Sequence, residues 1–321
     1  MMTAVGGSLA LISAAGCLDD DDDADDSNGT GDDPETLIES AQNSLEEAGD
    51  EFSGALDEAN DPLSDSSHSI DTGPIETWLD AAEDDLSAAR DGATDDQLET
   101  IAALEDVVDF FRDFADVFVA LGVAMDEFET WEQYLDQDRW KDAVESAERA
   151  ESSVDDAISN MTVARSTFDD IDTDALSDVS EIDTVEMERD LEEIEEILDV
   201  LGVLMTGSRQ LSEGMIPFQD AIEALEQERF SVAASSFSSS ASRFDAAYYT
   251  FSEAEDDAPA EFRGELIDMS CEMDALGDAA EHYSMGADLY ADGDYSSGDE
   301  HFAEGEAAAE RCDSDDVSLS L

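Results

Sequence analysis

From residue 34 onward apolar side chains recur at steps of three and four, the period of a helix with one buried face, and no stretch alternates as a strand would. Leu37, Ala41, Leu45, Ala48, Phe52, Leu56 and Ala59 form the first stripe, opened by Pro34 and closed by Asn60-Asp61-Pro62. After a Ser/Asp/Gly loop, Pro74 starts a second helix that turns Trp78, Ala82, Leu86 and Ala89 inward and breaks near Asp91-Gly92. Thr94 is placed to cap a third, from about Asp95 to Leu135, whose middle (residues 117–125) is apolar on most sides and predicts a central position. A fourth begins at Trp140 and carries Ala143, Ala147, Ala150, Val154, Ala157, Met161, Ala164 and Phe168. The fifth pattern runs through Leu191, Ile194, Leu198, Leu201, Leu204 and Met205, and the stretch from Gly207 to Pro217 predicts a bend or break. Phe230 to about Glu255, Ala260 to Tyr290 and Tyr295 to Arg311 complete the set. The expected fold is all-α, with antiparallel helical hairpins stacked as an elongated bundle or a short irregular array. The helical domain spans residues 35–312, the loop of residues 169–184 offers a sub-boundary, and residues 313–321 read as a loose tail. One domain or two remains open.

A repeat lies inside this pattern. Leu121-Gly122 and Leu276-Gly277 each precede an aromatic residue, Trp140 or Tyr295, by 18 residues counted from the glycine. The turns correspond: Asp138-Arg139-Trp140-Lys141-Asp142-Ala143 matches Gly293-Asp294-Tyr295-Ser296-Ser297-Gly298, and Glu228-Arg229-Phe230-Ser231-Val232-Ala233 is a third copy. In each, an aromatic side chain follows a short polar turn and a small residue comes three positions later. The aromatic is expected to fill the space where two helices diverge, and the small residue to let their backbones approach. This unit resembles the helical hairpin of tetratricopeptide-type repeats, with Trp140, Phe230 and Tyr295 at the start of the second helix. The copies are 90 and 65 residues apart, so the resemblance covers three hairpins and not a continuous solenoid.

Residues 4–16 form a short, uncharged run of small and apolar residues, too short to span a bilayer and of the length of a signal-peptide core. Its ending, Ala14-Ala15-Gly16-Cys17, resembles the lipobox of secreted lipoproteins, in which the cysteine becomes the lipidated first residue. Ala14 stands where that motif usually has Leu, and no Arg or Lys precedes the run, which leaves open whether Met1 is the true start. The resemblance implies a signal peptide over residues 1–16, lipidation at Cys17, and a lipid membrane as one partner. Residues 17–34 are dominated by Asp, with nothing to bury, and read as an extended acidic tether. Asn28-Gly29-Thr30 fits the N-glycosylation pattern in an exposed place; Asn160-Met161-Thr162 fits it inside a helical pattern and is the poorer candidate. The expected location is extracytoplasmic, anchored to the cell membrane.

Charge sharpens that picture. The chain carries 89 acidic residues against 12 basic ones, of which only Lys141 is Lys, for a formal net charge of −77. Nothing here could neutralise phosphates, so nucleic acid is excluded as a partner, and docking on anionic lipid by charge is disfavoured. The chain is 41% hydrophobic at helical spacing, which separates it from a disordered polyanion. Acids run through every helix. This surface resembles the proteins of extremely halophilic archaea, and the physics agrees: at molar salt the Debye length is about 3 Å, so repulsion among surface carboxylates is largely screened while their hydration remains.

Candidate chemistry is sparse. The midpoint between Cys271 and Cys312, 291.5, falls at the Asp292-Gly293-Asp294 turn, so an antiparallel hairpin brings them side by side and a disulfide would staple its open end. In the chain-entropy model a closed loop of about forty residues adds roughly 3–4 kcal/mol. Two unpaired buried thiols are the alternative. Of the three histidines, His68, His282 and His301, the last begins an H-x-x-E ending at Glu304, and His282 lies on the antiparallel partner. These three are candidate metal ligands, and imelysin-like surface proteins carry a related H-x-x-E; a solvated His pair is the plainer reading. No Glu-x-x-His pair of the di-iron kind, phosphate-binding Gly-rich loop or G-x-S-x-G is found, and Trp78, Trp131 and Trp140 sit at core or turn positions. The expectation is therefore a protein that is not an enzyme and needs no cofactor: a lipid-anchored surface module offering a groove to an unidentified protein or peptide. A groove lined by Tyr248, Tyr249, Phe251 and Tyr290 would favour that reading. The alternative is a ligand- or metal-binding lipoprotein feeding a transport system through His282, His301 and Glu304.

The net charge generates a test. Unfolding spreads the carboxylates that folding concentrates, so helicity and a cooperative melt should appear at molar KCl and fade as salt is removed. Acidifying the dilute sample should restore some helix by removing charge without screening it. Circular dichroism checks both arms; identical helix content and melting temperature in dilute buffer and at about 2–3 M salt would overturn the halophilic reading.

Overall fold

The computed structural model describes residues 33–59, 72–176, 182 and 184–312. Cys17, Asn28, His68, most of the tether and the 313–321 tail lie outside the described residues. The protein is all-α, with α1 (Pro34–Ala59), α2 (Gly73–Ala89), α3 (Asp95–Leu135), α4 (Trp140–Asp169), α5 (Thr184–Glu226), α6 (Phe230–Ala254), α7 (Ala260–Asp292) and α8 (Tyr295–Ala309), followed by a single 3-10 turn. Among the described residues there is no strand, and no helix is long and apolar enough to cross a membrane.

The helix ends follow from local chemistry. Thr94 and Gln97 form a reciprocal capping box: the Thr94 backbone N–H donates to Gln97 Oε1 at 2.9 Å, and the Gln97 N–H donates to Thr94 Oγ1 at 3.4 Å. The three turns aligned in the sequence share one geometry. Asp138, Glu228 and Gly293 each adopt positive φ (54°, 56° and 84°). Their N–H groups donate to the carbonyls of Leu135, Leu225 and Tyr290, and the next residues, Arg139, Arg229 and Asp294, donate to Tyr134, Ala224 and Leu289. That paired closure satisfies carbonyls the ending helix would leave open, and it reverses the chain within a few residues.

The described chain divides into two compact units. The first contains the described residues up to Gly122 together with Asp156–Glu195. At its centre Phe52 of α1 meets Phe111, Phe114 and Phe118 of α3 at ring-centroid distances of 5.4–5.7 Å, and Phe168 of α4 meets Phe110 edge-on at 5.5 Å. Arg112 of α3 reaches Asp80 and Glu83 of α2 at 2.9 and 2.7 Å. The described residues of the 169–184 loop belong to this unit. The second unit contains Val123–Asp155 and the chain from Glu196 through Cys312. Its polar links include Trp131 Nε1 donating to Ser212 at 2.8 Å and Arg209 pairing with Glu151 and Glu213, each at 2.7 Å. The apolar middle of α3 is not enclosed on all sides. Val117, Phe118 and Ala124 are buried, while Val119 and Val123, four apart on another face, are about half exposed (46% and 49%).

Some carboxyls titrate away from their ordinary range. Burial pushes Asp106 up, helped by Asp109, and pushes Asp245 up, helped by Asp274 and Asp278. A raised folded pKa adds stability that is full below the unfolded value and is lost as pH rises through the folded one, so these two groups favour the fold in acid. In the opposite sense, the Arg149 hydrogen bond holds Glu127 below the carboxylate range, and its contribution is lost as pH falls.

Of the bend or break expected in α5 between Gly207 and Pro217, the break does not occur. The helix runs unbroken from Thr184 to Glu226 with Pro217 inside it. Gly207 and Gly214 are notches, not breakers: the Phe251 ring occupies the space of a Cβ on Gly207, and Phe244 Cε1 would lie 2.6 Å from a Cβ on Gly214. Pro217 leaves the Glu213 carbonyl without its helical N–H donor, and one residue further on Ser240 of α6 donates to the Gly214 carbonyl at 2.7 Å. Packing against α6 therefore overrides the local signal. Gly207→Ala should destabilise by about 1–3 kcal/mol through overlap with Phe251. Gly264→Ala in α7, where nothing lies within 4 Å, should stabilise by about 0.5–1 kcal/mol. Thermal melts in molar salt give both signs; a neutral Gly207→Ala would remove the notch argument.

Candidate metal centre

The α7–α8 hairpin is built by its turn and its glycines. Gly293 takes the left-handed position, and Asp294 caps α8, accepting from the Ser297 N–H at 3.3 Å and from the Ser297 hydroxyl at 2.8 Å. Beyond the turn, Tyr290 of α7 lies over Gly298 of α8, and Tyr283 lies over Gly305. A Cβ on Gly286 would stand 3.1 Å from the Gly298 carbonyl oxygen, so the two backbones run close together. The expected role of the small residue is met here. The expected role of the aromatic is met unevenly: Trp140 is buried, Phe230 is half-buried with its ring 5.2 Å from Tyr290, and Tyr295 is 57% exposed. Tyr295 does not fill the gap, because Tyr290 has already taken the space above Gly298.

Close backbones bring the two helical histidines together. His282 Nδ1 on α7 is 3.4 Å from His301 Nδ1 on α8. Glu304, three residues beyond His301 and on the same face, places Oε2 3.2 Å from His282 Nδ1 and 3.1 Å from His301 Nδ1. A tetrahedral ion with bonds of about 2.0–2.1 Å separates its ligand atoms by about 3.3 Å, so this spacing fits such an ion. The histidines are each 31% exposed and Glu304 50%, which leaves coordination positions open to solvent. Two imidazole nitrogens and one carboxylate suit a borderline divalent ion such as zinc, copper or nickel better than calcium or magnesium.

At the open end of the hairpin a disulfide joins Cys271 to Cys312, with Cα atoms 5.8 Å apart. Beside it Arg311 pairs with Asp274 and Asp278 of α7 at 2.6 and 2.7 Å. The aromatic residues proposed for a groove are otherwise engaged. Phe251 is buried in the Gly207 notch, and Tyr290 packs among Phe230, Tyr295 and Phe302. Tyr248 and Tyr249 pair edge-on, with Tyr249 60% exposed. Asn160, half-buried, donates its Nδ2 to the Asp116 carbonyl of α3 at 3.1 Å, which ties this glycosylation candidate to a neighbouring helix. Sequence reasoning did not find the network of Glu151, Thr206, Arg209, Glu213 and Arg243, which joins α4, α5 and α6. Local sequence could not single it out: Arg243 has no carboxylate three or four residues away on its own helix and Arg209 has only Glu213, so their other partners come from helices that periodicity alone does not pair. No protein-family model, curated protein or solved structure matches the chain.

Proposed function

We propose that this is a non-catalytic, lipid-anchored protein of the outer face of the membrane that holds a divalent transition-metal ion between α7 and α8. The observation that carries the metal reading is the meeting of His282, His301 and Glu304, from two helices, at mutual distances of 3.1–3.4 Å. The anchor reading rests on Ala14-Ala15-Gly16-Cys17 and the acidic tether that follows it. Metal binding is favoured over the peptide-groove reading because Phe251 and Tyr290 are used in packing between helices. A three-ligand site on the surface can load and release its ion without opening the fold, which suits a protein that passes metal to a transport system.

Weak binding to scattered carboxylates has to be separated from binding at this centre. Titrations with zinc in molar KCl and excess magnesium should show one site per chain, and His282→Ala or His301→Ala should each weaken it by at least about tenfold. With copper, the electron paramagnetic spectrum should carry nitrogen splitting from both imidazoles. Zinc binding indifferent to both substitutions would reject the centre. For the anchor, the wild-type protein should fractionate with membranes and Cys17→Ser should be released from them. A mature cytosolic chain that still begins at Met1 would reject export.

A further inference from the structure

We propose that the Cys271–Cys312 disulfide controls the affinity of this metal centre, so that an external dithiol that reduces the bond releases the ion. The inference rests on the metal-binding reading above. Two of the three ligands, His301 and Glu304, belong to α8, and α8 is the weakest of the helices by its own chemistry. It has 15 residues, and the only ones it buries are Gly298 and Gly305. A helix of that length is marginal in isolation, and each interior glycine weakens it further. Its seating therefore depends on what ties it to α7. At one end is the turn closed by Gly293 and Asp294; at the other are the disulfide and the Arg311 pairs with Asp274 and Asp278. His301 and Glu304 lie between these two ties, and His282 faces them from α7.

With the bond intact, α8 is held in the register that brings the three ligand atoms together before any ion arrives. With the bond open, the turn remains but the covalent tie at the far end is gone, and only part of the population keeps α8 seated. Apparent affinity then falls by that fraction. The bond is within reach of a reductant, since Cys271 is exposed and Cys312 half-buried. The exchange balances as ordinary dithiol chemistry. One thiolate of the reductant attacks a sulfur of the Cys271–Cys312 bond, forming a mixed disulfide and expelling the other cysteine as thiolate. The second thiol of the reductant then displaces the mixed disulfide. Two electrons and two protons pass to the protein, which ends with two thiols, and the dithiol ends as a disulfide. Neither cysteine has to become a metal ligand.

Linkage makes the control reciprocal. If the oxidised chain binds zinc tenfold more tightly than the reduced one, saturating zinc should lower the reduction potential of the bond by about 30 mV. The test uses the full chain in molar KCl. Zinc affinity, read by competition with a chromogenic chelator, is compared between oxidised wild type and the double variant Cys271→Ser/Cys312→Ser, which has no thiolate to offer. The variant is expected to bind at least about tenfold more weakly, with most of the circular-dichroism helix signal retained. The potential of the wild-type bond, measured against a dithiol buffer with and without zinc, needs no variant and should fall as stated. Equal zinc affinities, or a potential unmoved by zinc that does bind, would overturn the control while leaving the metal centre standing. Failure of oxidised wild type to bind zinc at all would instead remove the metal reading itself.

Discussion

The second unit depends on aromatic rings seated over glycines across antiparallel helices. Gly207 and Gly214 stand seven residues apart on α5, and Phe251 and Phe244, which occupy their missing side-chain space, stand seven apart in the reverse direction on α6. Seven residues are close to two helical turns, so both notches open on one face and both rings enter it. The device recurs where Tyr290 and Tyr283 of α7 lie over Gly298 and Gly305 of α8. A glycine inside a helix costs about 1 kcal/mol relative to alanine, whereas burying a large apolar side chain contributes about 1.5–3 kcal/mol, so each notch is favourable once its ring is in place. A notch also fixes register, because a slip of one residue puts a Cβ against the ring. The meetings of His282 with His301 and of Cys271 with Cys312 are consequences of that register.

Packing of this kind has to hold a chain whose net charge is −77. The few cations are placed to join helices. Arg112 connects α3 to two carboxylates of α2, Arg209 connects α5 to α4, and Arg311 ties the segment after α8 to two aspartates of α7. Exposed pairs are individually worth about 0–1 kcal/mol, so they do not by themselves offset the repulsion. Their value lies in placement: Arg209 stands between carboxylates of two helices, and Arg112 and Arg311 each join two carboxylates of one facing helix. In the proposed high-salt setting, screening would reduce the remaining repulsion.

Periodicity was enough to read the helices, because each needs only its own apolar stripe and its own punctuation: Thr94 before α3, Gly293 after α7. The cysteine and histidine meetings were legible for a related reason. Once a turn and an antiparallel partner are known, position along one helix fixes position along the other. The misreading of α5 shows where this ends. Gly207 and Gly214 are breakers only in isolation, and the rings that fill their notches, Phe251 and Phe244, lie on α6 with no local mark of the pairing. The same limit applies to Tyr295. Its place after the turn was readable, but its exposure depends on Tyr290 having claimed the notch at Gly298.

The acidic surface bears on how the proposed metal centre could be selective. A field of carboxylates gathers cations of every kind, and in concentrated salt those are overwhelmingly sodium, potassium or magnesium. Such hard ions take oxygen ligands and gain little from imidazole. A second carboxylate in place of His282 or His301 would therefore bring the site closer to one more acidic cluster among many, filled by the background electrolyte. Two neutral nitrogens reverse the preference, because borderline ions bind imidazole well and the hard ions in excess do not. Glu304 then supplies charge and a third ligand, while the surrounding acids raise the local concentration of any divalent ion without deciding which one stays. Selectivity in this protein would thus reside in two of its three histidines, and the notches that bring α8 against α7 are what would allow both to act on one ion.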